Sequence, residues 1–390
     1  MSGSGHNSLA NRNFSISELI KQGYSGVLRG PQRKESDGHS RMAWPNFPTS
    51  SDCVILVSTI LNNETRSRLR DLHTVPGTTY GKLLFDTTGF IACSIVGVLS
   101  WRAGWYPLTL LAVLVGGHFG HIKPLAFHDA AHQTLTKESW LNEFIGVLTG
   151  IVILVPLCVY RRAHSLHHSC LLTKRDPEMW PFTDPDSPRV VRLLAAFSEI
   201  VFGFVYTPLL FMRSAIKAEK PPQNFYRTAV RDYFLMVVFW GGVCWLVNHF
   251  GFWTEFIIGY LAQVAVAGAY QTLNKYTQHM GMTGSTVLEL TRNVDDRRPR
   301  GRLMSFSMQH TDHHGTHHRY AKIPFQNLPE GTELVYGSDS DSAHNYPSYL
   351  SAMLAMARTL PDPKAGPQWN ELHSADEVES TEAESTAANA

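Results

Sequence analysis

Histidines at regular spacing are the residues of this chain best suited to chemistry. Nineteen of the 390 residues are histidine, and residues 309–318, QHTDHHGTHH, hold five of them. Related patterns occur upstream as HDAAH (128–132) and HSLHH (164–168). On a helix, positions i, i+3 and i+4 share one face, so each pattern directs its imidazoles the same way. A proton relay needs no such triplets and a chance cluster is improbable, so the patterns favour a metal site.

Eight imidazoles predict two metal ions rather than one. Neutral imidazole suits zinc, copper, iron and nickel, and a single catalytic zinc needs only three protein ligands. An all-nitrogen site that is open to dioxygen indicates iron. We read the third pattern as HTDHH and expect His317 and His318 to lie at the surface. The predicted ligands are His128, His132, His164, His167, His168, His310, His313 and His314.

The segment NKYTQHMGMTG adds two further candidates. His279 follows an apolar run by about two helical turns and should emerge beside the other imidazoles, so we predict it as a ninth ligand. Asn274 could hold a metal-bound water. Carboxylates that accept the second N–H of a ligand imidazole orient the ring. The candidates for that role are Asp129, Asp176, Glu289 and Asp312.

Apolar runs indicate the elements that must position these groups. A bilayer core about 30 Å thick requires about 20 apolar residues per helix. The runs lie at 84–101, 106–127, 142–160, 192–212, 233–247 and 252–270. Several have no polar face, which favours an integral membrane protein over a soluble helical one. The net charge of +1 gives no indication of a nucleic-acid partner.

The placement of basic residues predicts the topology. The connectors 102–106 and 247–252 are short, whereas segments 161–175, 213–231 and 292–302 are rich in Arg and Lys, as cytoplasmic loops are. All ligands must meet on one side, so run 142–160 should re-enter or lie in the interface and run 192–212 should lie flat. We therefore predict an all-α integral membrane protein with four transmembrane helices in two hairpins, interfacial helices and a cytosolic cap that holds a di-iron site.

Polar segments flank this region. We predict a polar cytosolic N-terminal segment over 1–80, partly disordered, a membrane domain over 81–335, and a partly disordered C-terminal tail over 336–390. The expected location is a bacterial inner membrane or the endoplasmic reticulum, with the site on the cytoplasmic side.

Together, HDAAH, HSLHH and HTDHH around paired apolar hairpins resemble the membrane fatty acid desaturase and hydroxylase superfamily. The resemblance covers roughly residues 80–330. It implies a helical membrane domain with a cytosolic cap holding two irons, and it matches the eight patterned histidines and His279 to family ligands. HDAAH resembles acyl desaturases, whereas QHMGM, QHTDHH and LPEG resemble alkane monooxygenases, and carotenoid ketolases share the general pattern.

The resemblance implies dioxygen-dependent oxidation of C–H bonds in a long apolar chain. The chain should be a fatty acyl desaturase, with an alkane or lipid hydroxylase as the alternative, because both reactions use the same ligands. A histidine-lined metal transporter is a remote alternative, which would place its ligands inside spanning helices and on both membrane faces. The sequence shows no fused redox module, so we expect a separate electron donor: a ferredoxin, a rubredoxin or a cytochrome.

Overall fold

The computed structural model describes residues 63–336 and 345–370. The disorder predicted at both ends of the chain falls largely outside these residues. Helices dominate the described part, and the histidine-bearing helix ends lie together beneath a cap of short elements.

Eight helices lie between Asn63 and His279. They are α1 (Asn63–Asp71), α2 (Thr78–Arg102), α3 (Tyr106–His132), α4 (Ser139–Ile153), α5 (Leu157–Ser169), α6 (Arg189–Ile216), α7 (Phe225–Phe250) and α8 (Trp253–His279). Helix α8 contains one π-helical stretch, Ile257–Leu261. The cap follows as β1 (Asn293–Val294), α9 (Pro299–Ser307), α10 (His314–Arg319), a 3-10 turn (Phe325–Asn327), α11 (Leu328–Tyr336), β2 (Asn345–Tyr346) and α12 (Tyr349–Ala357).

Five helices are long and apolar enough to cross a membrane: α2, α3, α6, α7 and α8. Helices α2 and α3 are joined by a tight connector, as are α7 and α8. Many large apolar side chains of α2 and α7 are exposed, for example Leu84 and Val237, which suits helices surrounded by lipid. The predicted number of four crossings stays a prediction, because α6 also meets the length and composition requirements.

The apolar run at 142–160 is broken into α4 and α5. The two helices meet at 96°. The break follows from Leu154, whose φ of 63° ends α4, and from Pro156, which caps α5 and cannot continue a helix. A helix pair bent this sharply fits the predicted re-entrant or interfacial position.

Helix α6 packs at both ends against histidine-bearing parts of the fold. Near its start, Ala195 and Ala196 share a core with Tyr276 near the end of α8. Near its end, Phe211 packs with Phe127, close to the end of α3. The backbone is non-helical at Phe202, so α6 bends between these contacts.

Close backbone approach fixes α6 against α8. A Cβ placed on Gly268 would lie 2.6 Å from the backbone nitrogen of Phe204, and one on Gly203 would lie 2.8 Å from the carbonyl oxygen of Gly268. Any larger residue at either position would push the helices apart. The glycine pair therefore sets the distance between these helices.

The segment 345–370 is part of the packed structure. Strand β2 pairs in parallel with β1, and Tyr349 Oη donates to Asn274 Oδ1 at 2.7 Å. The Trp369 indole N–H donates to the Phe182 carbonyl at 2.9 Å. This part of the predicted tail therefore closes the cap over the end of α8.

Candidate metal centre

Two clusters of imidazoles form where α3, α5, α8 and α10 meet. Cluster A comprises His128, His132, His164, His168 and His317. Cluster B comprises His167, His279, His314 and His318. Within each cluster, one nitrogen from every ring lies within 4.8 Å of the others. The rings of His168 and His318 are 4.3 Å apart between centroids, so the two clusters are neighbours.

The histidines converge because they lie at the ends of α3, α5 and α8. Helix α3 ends at His132, so His128 and His132 lie one turn apart on one face at its last turns. Helix α5 presents His164, His167 and His168 in the same way. Helix α8 ends at His279, which supplies the one ligand candidate from outside the repeated patterns.

The structure differs from the prediction at the third pattern. His314 opens helix α10, and His317 and His318 lie three and four residues later on the same face. The expectation that these two histidines are surface residues is wrong, because their side chains are buried, with 6% and 8% exposed. The relevant spacing is thus HGTHH, residues 314–318.

His310 and His313 lie apart from clusters A and B. They form a separate group with Asp312, which we name cluster C. Gln309 and His310 have φ values of 54° and 53°, so the chain turns sharply before α10 begins. That turn removes His310 and His313 from the face that presents His314, and the two histidines do not join the other imidazoles.

Within the clusters, ring nitrogens face each other without an intervening acceptor. The Nε2–Nε2 distance is 2.9 Å between His128 and His317, and 3.0 Å between His164 and His168. In cluster B it is 2.7 Å between His279 and His314. Neutral nitrogens so close together need a shared proton or a cation between the rings.

The opposite ring nitrogens contact acceptors. His128 Nδ1 lies 2.9 Å from Asp129 Oδ1, and His167 Nδ1 lies 2.7 Å from Asp176 Oδ2. His164 Nδ1 lies 2.9 Å from Glu178 Oε1, and His279 Nδ1 lies 3.0 Å from the Leu290 carbonyl oxygen. An acceptor at Nδ1 places the proton there and leaves the Nε2 lone pair free, which is the tautomer that binds metal.

Burial and charge fit a metal ion as well. Burial and the neighbouring imidazoles hold the pKa of His314, His317 and His318 well below the ordinary value, so these rings are neutral ligands. His132 Nε2 is buried without a hydrogen-bond partner. A buried nitrogen without a hydrogen-bond partner lowers the stability of the fold unless it coordinates an ion. The residues present therefore fit two closely spaced metal ions bound by imidazole.

The two carboxylates that contact histidines of α5 differ in charge state. Burial acts to raise the pKa of Asp176, but its contacts with His167 and with backbone N–H groups hold that pKa below its ordinary value. Burial raises the pKa of Glu178 to about 7. Asp176 is thus ionised at neutral pH, whereas Glu178 lies close to its titration point.

The other predicted supporting residues lie in different surroundings. Asn274 is buried and accepts a hydrogen bond from Tyr349, and Asp312 belongs to cluster C. Glu289 accepts the backbone N–H groups of Ser285 and Thr286, so it stabilises a loop and contacts no imidazole. Glu178 is not among the residues predicted from the sequence, and the signal that could have indicated it is its position two residues after Asp176.

An apolar cavity leads from the imidazoles into the helix bundle. Its volume is about 820 Å³. Histidines of clusters A and B line one end of the cavity: His128, His164, His167, His279, His314 and His317. Its far end is lined by Trp240, Trp253 and Phe256. The lining follows nearly the whole of α8, which at 27 residues is about 40 Å long.

Comparison with known proteins identifies the family. The fatty acid desaturase family model matches residues 103–349, well over half of the chain. The chain belongs to the fatty acid desaturase family. The chain is therefore that of an oxidoreductase, and its apolar helices are those of a membrane protein. The resemblance noted from the histidine patterns is confirmed at the level of the family.

Curated relatives share modest sequence identity with this chain. An sn-1 acyl-lipid omega-3 desaturase (ferredoxin) from Nostoc sp. is 24% identical over 67% of this chain and 76% of its own length. An sn-1 oleoyl-lipid 12-desaturase from Picosynechococcus sp. is 25% identical over 50% and 59%, respectively. A fatty acid desaturase from Bacillus subtilis is 28% identical over 45% and 51%. The chain thus spans between 51% and 76% of the length of these three relatives.

Proposed function

We propose that this chain introduces a double bond into a long fatty acyl chain, with two iron ions held by clusters A and B. The observation that supports this most directly is the junction of nine clustered imidazoles with the apolar cavity. When bound, the iron pair supplies the oxidation by dioxygen that removes hydrogen from an unactivated C–H bond, which side chains cannot perform alone.

The overall reaction requires electrons from outside the chain. One CH2–CH2 unit, one O2, two electrons and two protons give one CH=CH unit and two waters. The substrate supplies only two of the four electrons that O2 accepts, so a donor must supply the other two. We propose a separate ferredoxin, rubredoxin or cytochrome; the printed name of the Nostoc relative includes ferredoxin.

The chain's own residues position the imidazoles and the substrate. Asp129, Asp176 and Glu178 accept Nδ1–H groups and thereby fix the orientation of three rings. The apolar cavity suits an extended hydrocarbon, since ligand cavities of about 300–1,000 Å³ enclose most of a ligand's surface. A methylene pair held beneath the histidines would be the one oxidised.

Four helices are proposed to cross the membrane: α2, α3, α7 and α8. Four crossings return every histidine-bearing end to one face, whereas a crossing by α6 would separate α5 from α8. The contacts of both ends of α6 with histidine-bearing helices support this arrangement. By the distribution of Arg and Lys, that face is cytoplasmic, in a bacterial inner membrane or the endoplasmic reticulum.

The test is expression of the full chain in a host that lacks the product, followed by mass spectrometry of its lipids. Desaturation removes two hydrogens from an acyl chain, whereas the alternative, hydroxylation, adds one oxygen. The metal-transporter alternative predicts neither change. His317→Ala should abolish product, and His249→Ala, which changes an exposed histidine outside clusters A, B and C, should not. Unchanged lipids with the parent chain loaded with iron and supplied with a donor would refute the proposal.

A further inference from the structure

Cluster C has no role in the proposed oxidation. His310, Asp312 and His313 each offer one ligand atom, and these atoms lie within 4.8 Å of one another. The ring of His310 contacts those of Phe306, His313 and Phe325 rather than the imidazoles of clusters A and B. Cluster C is thus a separate group of potential ligands in the cap.

Hydrogen bonds fix the tautomer of His310. Its Nδ1 lies 2.7 Å from Ser305 Oγ. The single hydroxyl proton of Ser305 is donated to Asp312 Oδ1 at 2.7 Å. Ser305 must therefore accept from His310, which places the ring proton on Nδ1 and the lone pair on Nε2.

The same reasoning applies to His313. Its Nδ1 lies 2.9 Å from Thr332 Oγ1, and Thr332 donates its only hydroxyl proton to the Leu328 carbonyl oxygen at 3.0 Å. His313 Nδ1–H is therefore the donor, and Nε2 carries the lone pair. Both imidazoles of cluster C are held in the tautomer that a metal ion requires, each by a hydroxyl of a neighbouring element.

The carboxylate of Asp312 completes the set. The residue is largely buried, with 9% exposed, and its Oδ1 is occupied by Ser305. Its Oδ2 lies 4.0 Å from His313 Nε2. Two ligand bonds of about 2.1 Å each can span that separation, so one ion fits between the two atoms.

We propose that cluster C binds a third metal ion, a single divalent transition ion of the zinc or iron(II) class, separate from the two irons. Two imidazoles and one carboxylate form a ligand set used by both ions, with further positions left for water. The ion would tie the turn after α9 to the start of α10. That turn contains the two residues with positive φ and directly precedes His314.

Metal content of the full chain in detergent tests the proposal. The protein is loaded with iron(II), then exposed to one molar equivalent of zinc and dialysed, and its metals are counted by mass spectrometry. Wild type should retain one more ion per chain than His313→Ala, while both retain the same amount of the iron pair. His317→Ala should show the opposite pattern, with iron reduced and the third ion kept.

A milder variant guards against misfolding of the ligand variants. Thr332→Val keeps all three ligands and removes the acceptor of His313 Nδ1–H, together with the hydroxyl contacts to Thr316 and to the Leu328 carbonyl oxygen. It should lower the affinity of cluster C for the third ion about 10–100-fold, as measured by competition with a chelator. Equal metal counts in wild type and His313→Ala would overturn the third site. Loss of the iron pair in His313→Ala would also overturn it, because that result would assign His313 to the iron centre. Failure to bind iron in any form would instead overturn the proposed function alone.

Discussion

At the scale of single residues, ring orientation is set by partners at Nδ1. Glu178 contacts Nδ1 of His164, and Asp176 contacts Nδ1 of His167. Each carboxylate holds its imidazole in one tautomer, with Nε2 directed at its cluster. The affinity of the site for metal should therefore depend on residues that never touch the ion.

Glu178→Ala should lower iron affinity by about 10–100-fold, because His164 loses the acceptor that orients it. Glu178→Gln should recover part of this affinity, since the amide oxygen still accepts from Nδ1–H. Chelator competition on purified protein measures both. Glu289→Ala is the matched control, because Glu289 contacts only a loop. An equal loss of iron affinity in Glu289→Ala would contradict the orienting role of Glu178.

At the scale of elements, the contact of α6 with α8 limits how the helices can pack. Gly203 and Gly268 let the two backbones meet, and Thr272 Oγ1 donates to the Glu199 carbonyl oxygen one turn away. The same helices form part of the cavity wall. Their separation should therefore affect stability and substrate fit together.

Gly268→Ala should destabilise the protein by about 1–3 kcal/mol, since the new Cβ overlaps backbone that cannot move independently. The measurement is the thermal unfolding midpoint in detergent. Gly241→Ala in α7 is the control, because its Cβ would meet nothing within 4 Å. A midpoint for Gly268→Ala equal to that of the control would show that α6 and α8 do not pack as described.

The bend between α4 and α5 leads to a test of sidedness. If this pair re-enters, residues before and after it lie on one face of the membrane. In a chain whose native cysteines are replaced by serine, Lys137→Cys and Lys174→Cys should react with an impermeant thiol reagent from the same side. Gly104→Cys, in the α2–α3 connector, should react from the other. Reaction of Lys137→Cys and Lys174→Cys from opposite sides would contradict the four-crossing topology.

At the scale of the whole molecule, the cavity joins the apolar helices to the imidazoles of clusters A and B. Its walls come largely from α3, α4, α6, α7 and α8, and cap residues such as Phe325 and Leu328 also line it. A substrate chain would be held by apolar contacts along its length rather than by one polar group. The depth of the cavity should then set the length of chain accepted beyond the site of oxidation.

Val264→Trp should shift product formation toward shorter acyl chains, because Val264 lines the cavity within α8 and the indole would fill part of it. Product profiles from hosts fed acids of different length measure this shift. Val237→Trp, on the lipid-exposed face of α7, should leave the profile unchanged. An unchanged profile with Val264→Trp would mean that this part of the cavity does not hold the substrate.

Local sequence patterns were enough to predict the family and the membrane location. The spacing of HDAAH and HSLHH is local to one or two helical turns, and long apolar runs identify membrane helices without tertiary information. Those features predicted the family, which is confirmed, and they selected seven of the nine clustered histidines: His128, His132, His164, His167, His168, His279 and His314.

Which histidines of residues 309–318 join clusters A and B depends on the tertiary fold. His314 belongs both to HTDHH and to HGTHH, and the two spacings are locally equivalent. The choice depends on a turn with positive φ at Gln309 and His310, which starts α10 at His314. Contacts from α9 and α11, through Ser305 and Thr332, surround that turn. Because these partners lie on separate elements, local periodicity carries no information about them.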